Sequence, residues 1–484
     1  MYHREVLWRL RGEQSRHMTK RFTSGRVPAS GMDSLFDTAA RWQCWLDVEA
    51  ALALSQADLG LIPEAAGTAI ADACRVELLD VQRVEAEIER TSHPLMALVV
   101  ELAETVGGVH GGWVHWGVTT QNITQTGDTL LLRRAYTLIR RQVLQILAGL
   151  ADLTDRGADM IMAGRTHGQH AVPITFGYKS AAWIDEYLRH LERLDQLEPR
   201  LFVALLGGAA GTSAALGEHA QELQRLAARR LGLAPMAVPA RTIGDHQAEL
   251  VIVLGLIAAT SGKLAREIYQ LMKTEYQEVE EPIPAGTVGS STMPHKRNPQ
   301  LCQDIIGITA EIRALAPLAL ECTMSEHEAD HASSALFEAQ QRACELTAES
   351  LVRVGVVTAG LHLNPERMRR NVELSGGMIL SEAIMLRLGR TLGRQTAHEI
   401  VYDAAQIAAT TSMPFADTLA ADARIAHRLD IATVIELLEP GTHLGLASVI
   451  AREQAGRARA IITSRQDRRE PPDALPLAGS RSAQ

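Results

Sequence analysis

Apolar residues recur at helical spacing along most of the chain. The clearest run lies between Leu250 and Leu271, where seven positions alternate four and three residues apart and six of them are apolar. This pattern predicts a long helix with a buried seam, which suits a protein core or a contact between subunits. Four further stretches also predict long helices, namely 35–59, 123–153, 175–197 and 299–320.

Evidence for β-strands is weak. Few segments alternate strictly between apolar and polar residues, and turn clusters at hairpin spacing are missing. The predicted fold is therefore all-α, with a long central helical bundle flanked by smaller helical N- and C-terminal domains. The expected parts are 1–118 for an N-terminal helical domain with a basic extension, 119–370 for the central bundle with its polar loops, 371–463 for a C-terminal helical domain, and 464–484 for a disordered tail.

Composition and charge restrict the class of protein. The 484 residues include 48 Lys and Arg against 57 Asp and Glu, a net charge of −9 without a concentrated basic face, so nucleic acid and anionic membranes are poor partners. The longest apolar run, 250–259, is too short to cross a bilayer. Five scattered cysteines without a CxxC pair indicate reduced thiols, and we expect a cytoplasmic protein.

The segment 289–299, with the sequence GSSTMPHKRNP, carries the strongest chemical signal. It places three hydroxyl groups beside the cation of Lys296 and the amide of Asn298. Fixed donors of this kind suit the binding of a carboxylate and the dianion that forms when a proton leaves the adjacent carbon. A serine needs activation by its surroundings before it can act as the base. A polar surface loop is the alternative.

Two other segments place polar side chains next to glycines. In 164–170, GRTHGQH, His167 and His170 lie three residues apart, and from the residues alone either a catalytic or a structural role remains open. In 114–122, VHWGVTTQN, the hydroxyls of Thr119 and Thr120 could hold a carboxylate or cap a helix.

These segments together resemble the fumarase/aspartase superfamily, most closely its carboxymuconate cycloisomerase and adenylosuccinate lyase branch. The resemblance covers roughly 35–460 and extends to 207–212, 271–279 and 376–383. It implies a homotetramer in which three subunits contribute to each active site. It also implies a small dicarboxylate substrate and no metal or organic cofactor.

The resemblance also assigns roles to individual residues. Ser290 would abstract the Cβ proton, and His167 would act as the general acid. The side chains that would contact the substrate are His93, Thr119, Thr120, Gln121, Met293, Lys296 and Asn298.

The chain departs from this branch at several informative positions. His327-Glu328-Ala329 lacks an arginine that the branch carries, which disfavours a phosphate-bearing substrate. Gln303 replaces a glutamate that orients the acid histidine in many members, and a neutral amide stabilises an imidazolium less well. Either the neighbouring Asp304 takes over, or the leaving group departs readily as an anion, as nitrite does.

The sequence thus predicts a lyase that eliminates a group anti from a substituted succinate and releases fumarate, with an amine, amide or nitrite-type leaving group. The alternatives are lactonisation of the 3-carboxy-cis,cis-muconate cycloisomerase type and, less well supported, the adenylosuccinate lyase reaction. The pattern H-E-x-x-H at 327–331 allows a zinc hydrolase. A non-catalytic structural role is disfavoured because the chain keeps the polar residues of all three segments.

Overall fold

A computed structural model describes residues 21–32, 34–284, 286–287, 292–328, 333–425 and 430–466. These residues form sixteen α-helices. The first eight are α1 (Thr38–Asp58), α2 (Glu64–Ala73), α3 (Val81–Thr91), α4 (Pro94–Val106), α5 (Thr120–Arg156), α6 (Phe176–Leu201), α7 (Ala220–Arg230) and α8 (Asp245–Leu271). The others are α9 (Gln300–Glu321), α10 (Ser333–Gly360), α11 (Pro365–Glu373), α12 (Ser381–Leu392), α13 (Arg394–Thr411), α14 (Phe415–Ala421), α15 (Ile431–Leu437) and α16 (Ala447–Gln466).

The all-α prediction is confirmed, but the described residues also contain three small sheets of two strands each. The strands are β1 (Ile161–Thr166), β2 (Gln169–Thr175), β3 (Val203–Ala204), β4 (Ala234–Pro235), β5 (Val279–Glu280) and β6 (His362–Leu363). β1 and β2 form an antiparallel hairpin that the sequence analysis missed. A register shift after Ala163 places three buried residues in a row in β1, which hides the alternation of a strand.

Five long helices, α5, α6, α8, α9 and α10, form the central bundle. The side chain of Gln121, at the start of α5, hydrogen-bonds to Arg241, just before α8. Arg156, the last residue of α5, donates to the carbonyl of Leu361, just beyond α10. The helices α5, α8 and α10 therefore run in one direction and α6 and α9 in the other. We call the end where α5 begins the upper end and the opposite end the lower end.

The predicted apolar seam lies in α8 and is buried within a single chain. Its positions are each 2% exposed or less, namely Leu250, Leu254, Ile257, Ser261, Leu264, Ile268 and Leu271. The heptad pattern allowed a seam shared between subunits, and that interpretation is wrong. The helix packs against α6, α9 and α10, which bury these seam positions.

The length and apolar composition of α8 also resemble those of a membrane span. Among the described residues, it is the one helix long and apolar enough to cross a membrane, yet 72% of its apolar window is buried inside the protein. A membrane span would direct this surface towards lipid, whereas here it contacts other helices. The helix is therefore a core element of the bundle.

The five cysteines all lie in the interior as free thiols. Burial raises the pKa of Cys44 to about 12 and the pKa of Cys74 well above its usual range. Desolvation is the cause, because a thiolate is poorly stabilised away from water. These thiols therefore stay protonated at neutral pH.

The C-terminal helices divide between two environments. Helices α12–α15 pack around a separate small hydrophobic core, whose residues lie between Ile384 and Val434. The last helix, α16, instead returns to the bundle and packs on α5 and α6, with Arg459 paired to Asp152 and Asp155. It continues to Gln466, and 467–484 of the expected tail lie outside the described residues. The predicted domain boundaries stay a prediction.

Gly127 allows α5 to pack tightly against α1. A Cβ atom there would lie 2.5 Å from Trp45 Cδ1 and 3.1 Å from the carbonyl carbon of Cys44. We expect Gly127→Ala to destabilise the protein by on the order of 2 kcal/mol, since overpacking outweighs the gain in helix propensity. The midpoint of urea unfolding measures this.

Gly456→Ala is the matched control for that substitution. Gly456 lies on the exposed face of α16 and has no atom within 4 Å of a built Cβ. This variant should gain about 0.5–1 kcal/mol from helix propensity. Equal unfolding midpoints for the two variants would contradict the packing argument.

Candidate active site

The two threonines at the start of α5 have different environments. Thr119 is the N-cap residue, and its backbone N–H donates to Asn122 Oδ1 at 3.2 Å. The same oxygen accepts from the backbone of Gly208 at 2.9 Å. Thr119 therefore occupies the N-cap position of α5, and the role of its hydroxyl towards substrate stays a prediction. Thr120, the first residue of the helix, faces an adjoining cavity.

This upper cavity has a volume of about 270 Å³ and contains three of the predicted substrate-binding residues, His93, Thr120 and Gln121. Two of them also have structural partners. His93 caps α4, since its Nδ1 accepts from the backbone of Met96 at 3.2 Å. Gln121 donates to the carbonyl of Arg241 at 2.8 Å and accepts from its Nε at 2.6 Å.

Sequence reasoning missed a largely buried pair formed by Glu49 and His115. His115 adopts a positive φ of 61° in the loop before α5, and its Nδ1 lies 2.6 Å from Glu49 Oε1. Burial alone would lower the pKa of His115, but the hydrogen bond and negative charge of Glu49 outweigh it and raise the pKa above the usual value. The two residues are 66 positions apart, so no local pattern could reveal the pair.

His167 occupies the turn of the β1–β2 hairpin at the lower end. Its φ is 52° and its side chain is exposed. Arg165 anchors the hairpin, since it donates two hydrogen bonds, of 3.0 and 2.7 Å, to the fully buried carboxylate of Glu278. Burial, together with the charge of Arg165, lowers the pKa of His170. The hairpin is therefore fixed to the chain that follows α8.

A larger cavity of about 1080 Å³ lies at the same lower end and includes Lys296 and Asn298. The other acidic, basic or histidine side chains along its wall are Lys273, Glu275, Glu280, His295, Arg297 and His362. Arg297 is paired with Glu280. The remaining cations favour an anionic ligand. Met293 is exposed but does not line this cavity, and Ser290 lies outside the described residues.

The two ends of the segment that carries Lys296 and Asn298 are held together at the start of α9. The buried carboxylate of Glu281 accepts from the backbone of Leu301 at 3.0 Å and of Cys302 at 3.1 Å. A carboxylate at a helix N-terminus is favourable because it meets free N–H groups and the positive end of the helix dipole. This contact fixes where the segment leaves and rejoins the bundle.

Asp304 already has hydrogen-bond partners within the chain. Its carboxylate accepts from the backbone of Thr23 at 3.0 Å and from the Thr23 hydroxyl at 2.6 Å. It also lies 3.7 Å from Nε of the buried Arg353. The residue therefore anchors the N-terminal segment to the bundle. The expectation that it replaces the missing glutamate as partner of His167 is not supported.

The predicted site residues fall at opposite ends of one chain. The side chains of Thr120 and Gln121 line the upper cavity beside Gln247, whereas Lys296 and Asn298 line the lower cavity beside Met272. Along α8, the interval from 247 to 272 corresponds to roughly 35–40 Å at the rise of an α-helix. One chain cannot bring both groups to one small substrate.

The described part of the H-E-x-x-H pattern is not helical. His327 has a φ of 55°, and it forms a turn with Glu328 between α9 and α10. Residues 329–331 lie outside the described part of the chain. The geometry of a zinc-binding helix, with both histidines on one face, therefore does not begin at His327.

The Glu49–His115 pair predicts a pH-dependent stability. Because the folded pKa of His115 is raised, its contribution is complete below about pH 6.5 and is lost as the pH rises through the folded value. Relative to wild type, Glu49→Gln should cost on the order of 2 kcal/mol at pH 5.5 and much less at pH 8.5. Urea unfolding at both pH values measures this.

Glu453→Gln on the exposed surface of α16 serves as the control for a lost carboxylate. It should change stability little at either pH. A cost of Glu49→Gln that is the same at both pH values would mean that protonated His115 does not stabilise the fold.

Known proteins resemble this chain in both sequence and fold. The family described as Lyase matches residues 24–314, and that described as adenylosuccinate lyase C-terminus matches 377–453. An N-acetyl-S-(2-succino)cysteine lyase from Enterococcus italicus is 37% identical, covering 86% of this chain and 92% of its own. An adenylosuccinate lyase from Methanothermobacter thermautotrophicus is 39% identical, covering 86% and 94%. The 3-carboxy-cis,cis-muconate lactonizing enzyme from Pseudomonas putida superposes with a TM-score of 0.83 at 33% identity, covering 92% and 100%. The chain is therefore a member of the fumarase/aspartase superfamily of carbon–heteroatom lyases.

Proposed function

We propose that the enzyme eliminates a group anti from a 2-substituted succinate and releases fumarate. The observation that carries this proposal is the lower cavity, where Lys296 and Asn298 face a space with an excess of cationic side chains. A dicarboxylate supplies the complementary charge. In this reaction Ser290 is the base and His167 faces the leaving group, as the resemblance to the superfamily implies.

Each of the proposed site residues has a defined task in the elimination. Ser290 takes a proton from Cβ, and the resulting negative charge spreads into the adjacent carboxylate. Lys296 and Asn298 stabilise that dianion, while Thr119 and Thr120 hold a carboxylate from the start of α5. The bond to the leaving group then breaks, its electron pair leaves with that group, and the new C=C bond forms fumarate.

The leaving group in this proposal departs as an anion, and a thiolate fits best. Gln303 is neutral and Asp304 is bound to Thr23, so a carboxylate partner that would support a charged His167 is missing among the described residues near α9. The pKa of a thiol is near 8.5, whereas the pKa of an amine that leaves as its anion is far higher. A thiolate therefore leaves with little assistance from a general acid. The similarity to the Enterococcus succino-cysteine lyase supports the same class.

The separation of the two cavities supports a site shared between subunits, as in a homotetramer. Gly255 on α8 and Gly307 on α9 each have no atom within 4 Å of a built Cβ. Leu256, next to Gly255, and Leu318, three turns further along α9 than Gly307, are 43% and 45% exposed. This smooth apolar face suits a second bundle packed antiparallel, which would place an upper end against a lower end.

Lactonisation of a carboxymuconate is the second candidate, because the Pseudomonas lactonizing enzyme matches over the full length of its fold. It uses the same proton chemistry. The adenylosuccinate reaction is less well supported, since the arginines that line the two cavities, Arg41 and Arg297, are already paired with Asp128 and Glu280. A phosphate group would lack an unpaired bidentate partner there.

Absorbance of fumarate, measured with a substrate panel, tests the reaction. The panel contains N-acetyl-S-(2-succino)cysteine, adenylosuccinate, argininosuccinate, aspartate, nitrosuccinate and carboxymuconate. We expect the thioether to be turned over fastest, and Ser290→Ala to lower kcat by about 10²–10⁴-fold because the base is lost. Ser464→Ala, on the exposed surface of α16, is the control. Full activity of Ser290→Ala would refute the assignment of the base.

Subunit complementation tests the shared site. Thr120→Val and Lys296→Met should each abolish activity, because one removes an upper-end group and the other a lower-end group. Refolding an equal mixture should restore about a quarter of wild-type activity, since hybrid assemblies contain sites with neither change. Refolding each variant alone is the control. A mixture as inactive as its components would exclude sites built from two chains.

A further inference from the structure

The upper cavity contains a cation that the elimination itself does not need. Its wall includes three titratable side chains, Arg41, His93 and Asp128. The rest of the wall is neutral and rich in amides and aromatic rings, namely Trp45, Pro94, Leu95, Thr120, Gln121, Thr124, Gln125, Gln247, Ser334, Phe337 and Gln340. Arg41 is therefore the dominant polar feature available to a ligand there.

Arg41 is held in one orientation from two sides. Its Nε donates to Asp128 Oδ1 at 2.9 Å, and its Nη2 donates to Asp128 Oδ2 at 2.8 Å. Asp128 is 6% exposed and also accepts from the Trp45 ring N–H at 3.3 Å. A bidentate contact of this kind fixes the plane of a guanidinium as well as its position.

Aromatic rings hold the faces of the same guanidinium. Its Cζ lies 4.0 Å from the ring centre of Phe337 and 5.1 Å from that of Trp45. Both rings are almost fully buried. The cation therefore has little rotational freedom left to lose when a ligand binds.

One edge of Arg41 is left for a ligand. The hydrogen bonds to Asp128 use Nε and Nη2, and Nη1 donates to none of the residues that the structure describes. The side chain is 34% exposed and lines the cavity. Because Asp128 neutralises the pair as a whole, the site suits a single carboxylate on a fixed donor edge and not a doubly charged phosphate.

We propose that Arg41 anchors a carboxylate carried by the leaving group, so that the upper cavity selects leaving groups with an acidic end. This inference rests on the proposed elimination, because only that reaction supplies a leaving group. The binding of a carboxylate at Arg41 does not depend on the reaction. The amides around the cavity contact the neutral part of the ligand. The substrate is then a succinate joined to a small carboxylate-bearing thiol.

A matched pair of ligands isolates the carboxylate. N-acetyl-L-cysteine and N-acetylcysteamine share the thiol and the acetamide, and only the first has a carboxylate. Titration calorimetry on the full chain, with fumarate present, should give at least about tenfold tighter binding of N-acetyl-L-cysteine, as expected for a charge-assisted hydrogen bond. Arg41→Gln should remove that preference and leave the affinity for N-acetylcysteamine unchanged.

Two further variants separate anchoring from structural support. Arg41→Lys keeps the charge but loses the planar fork, and it should recover part of the preference. Arg134→Gln is the control, since Arg134 lies on α5 opposite Asp47 at 3.9 Å and does not line the cavity. It should keep the full preference.

The outcomes distinguish this inference from the proposed reaction. Equal affinity of the wild type for both ligands, no binding of either, or an equal loss of both in Arg41→Gln overturns the role of Arg41. A carboxylate preference that depends on Arg41, in an enzyme that releases no fumarate from the panel, supports the anchor and refutes the elimination.

Discussion

The burial of the apolar seam of α8 is the contact on which the rest of the structure depends. It fixes five long helices side by side, and it gives the molecule two polar ends roughly 35–40 Å apart. Loops that carry the candidate chemistry can then lie only at those ends. The same rigidity that positions them keeps them apart, so their meeting requires a second bundle. In the proposed function, assembly is therefore part of the catalytic geometry and not a later addition to a finished site.

The lower end is built around carboxylates that are largely removed from water. Glu278 with Arg165, Glu281 with the start of α9, and Asp304 with Thr23 are all inside the protein with their partners supplied. Such contacts add little net stability compared with an apolar core, but removal of one partner is costly because the other charge stays buried. Their effect is to fix the directions of loops. The hairpin with His167 and the segment with Lys296 thereby leave the bundle at defined points.

The sequence predicted the long helices well because their periodicity repeats over several turns, as at 299–320, observed as Gln300–Glu321. It also predicted the capping position of Thr119 as one alternative. It failed where the decisive contact is remote in sequence. The Glu49–His115 and Arg41–Asp128 pairs join residues 66 and 87 positions apart, and Asp304 is occupied by Thr23 from 281 positions away. The β1–β2 hairpin was missed because a register shift hides its alternation.

The burial of the protonated cysteines has a chemical consequence for an enzyme that releases fumarate, the proposed product. Fumarate is an electrophile, and thiolates add across its double bond to give a stable alkylated side chain. An enzyme that generates this compound at high local concentration would inactivate itself if it exposed a reactive sulfur. With all five of its thiols buried and the pKa of Cys44 raised to about 12, an enzyme of the proposed function is protected against alkylation by the fumarate that it releases.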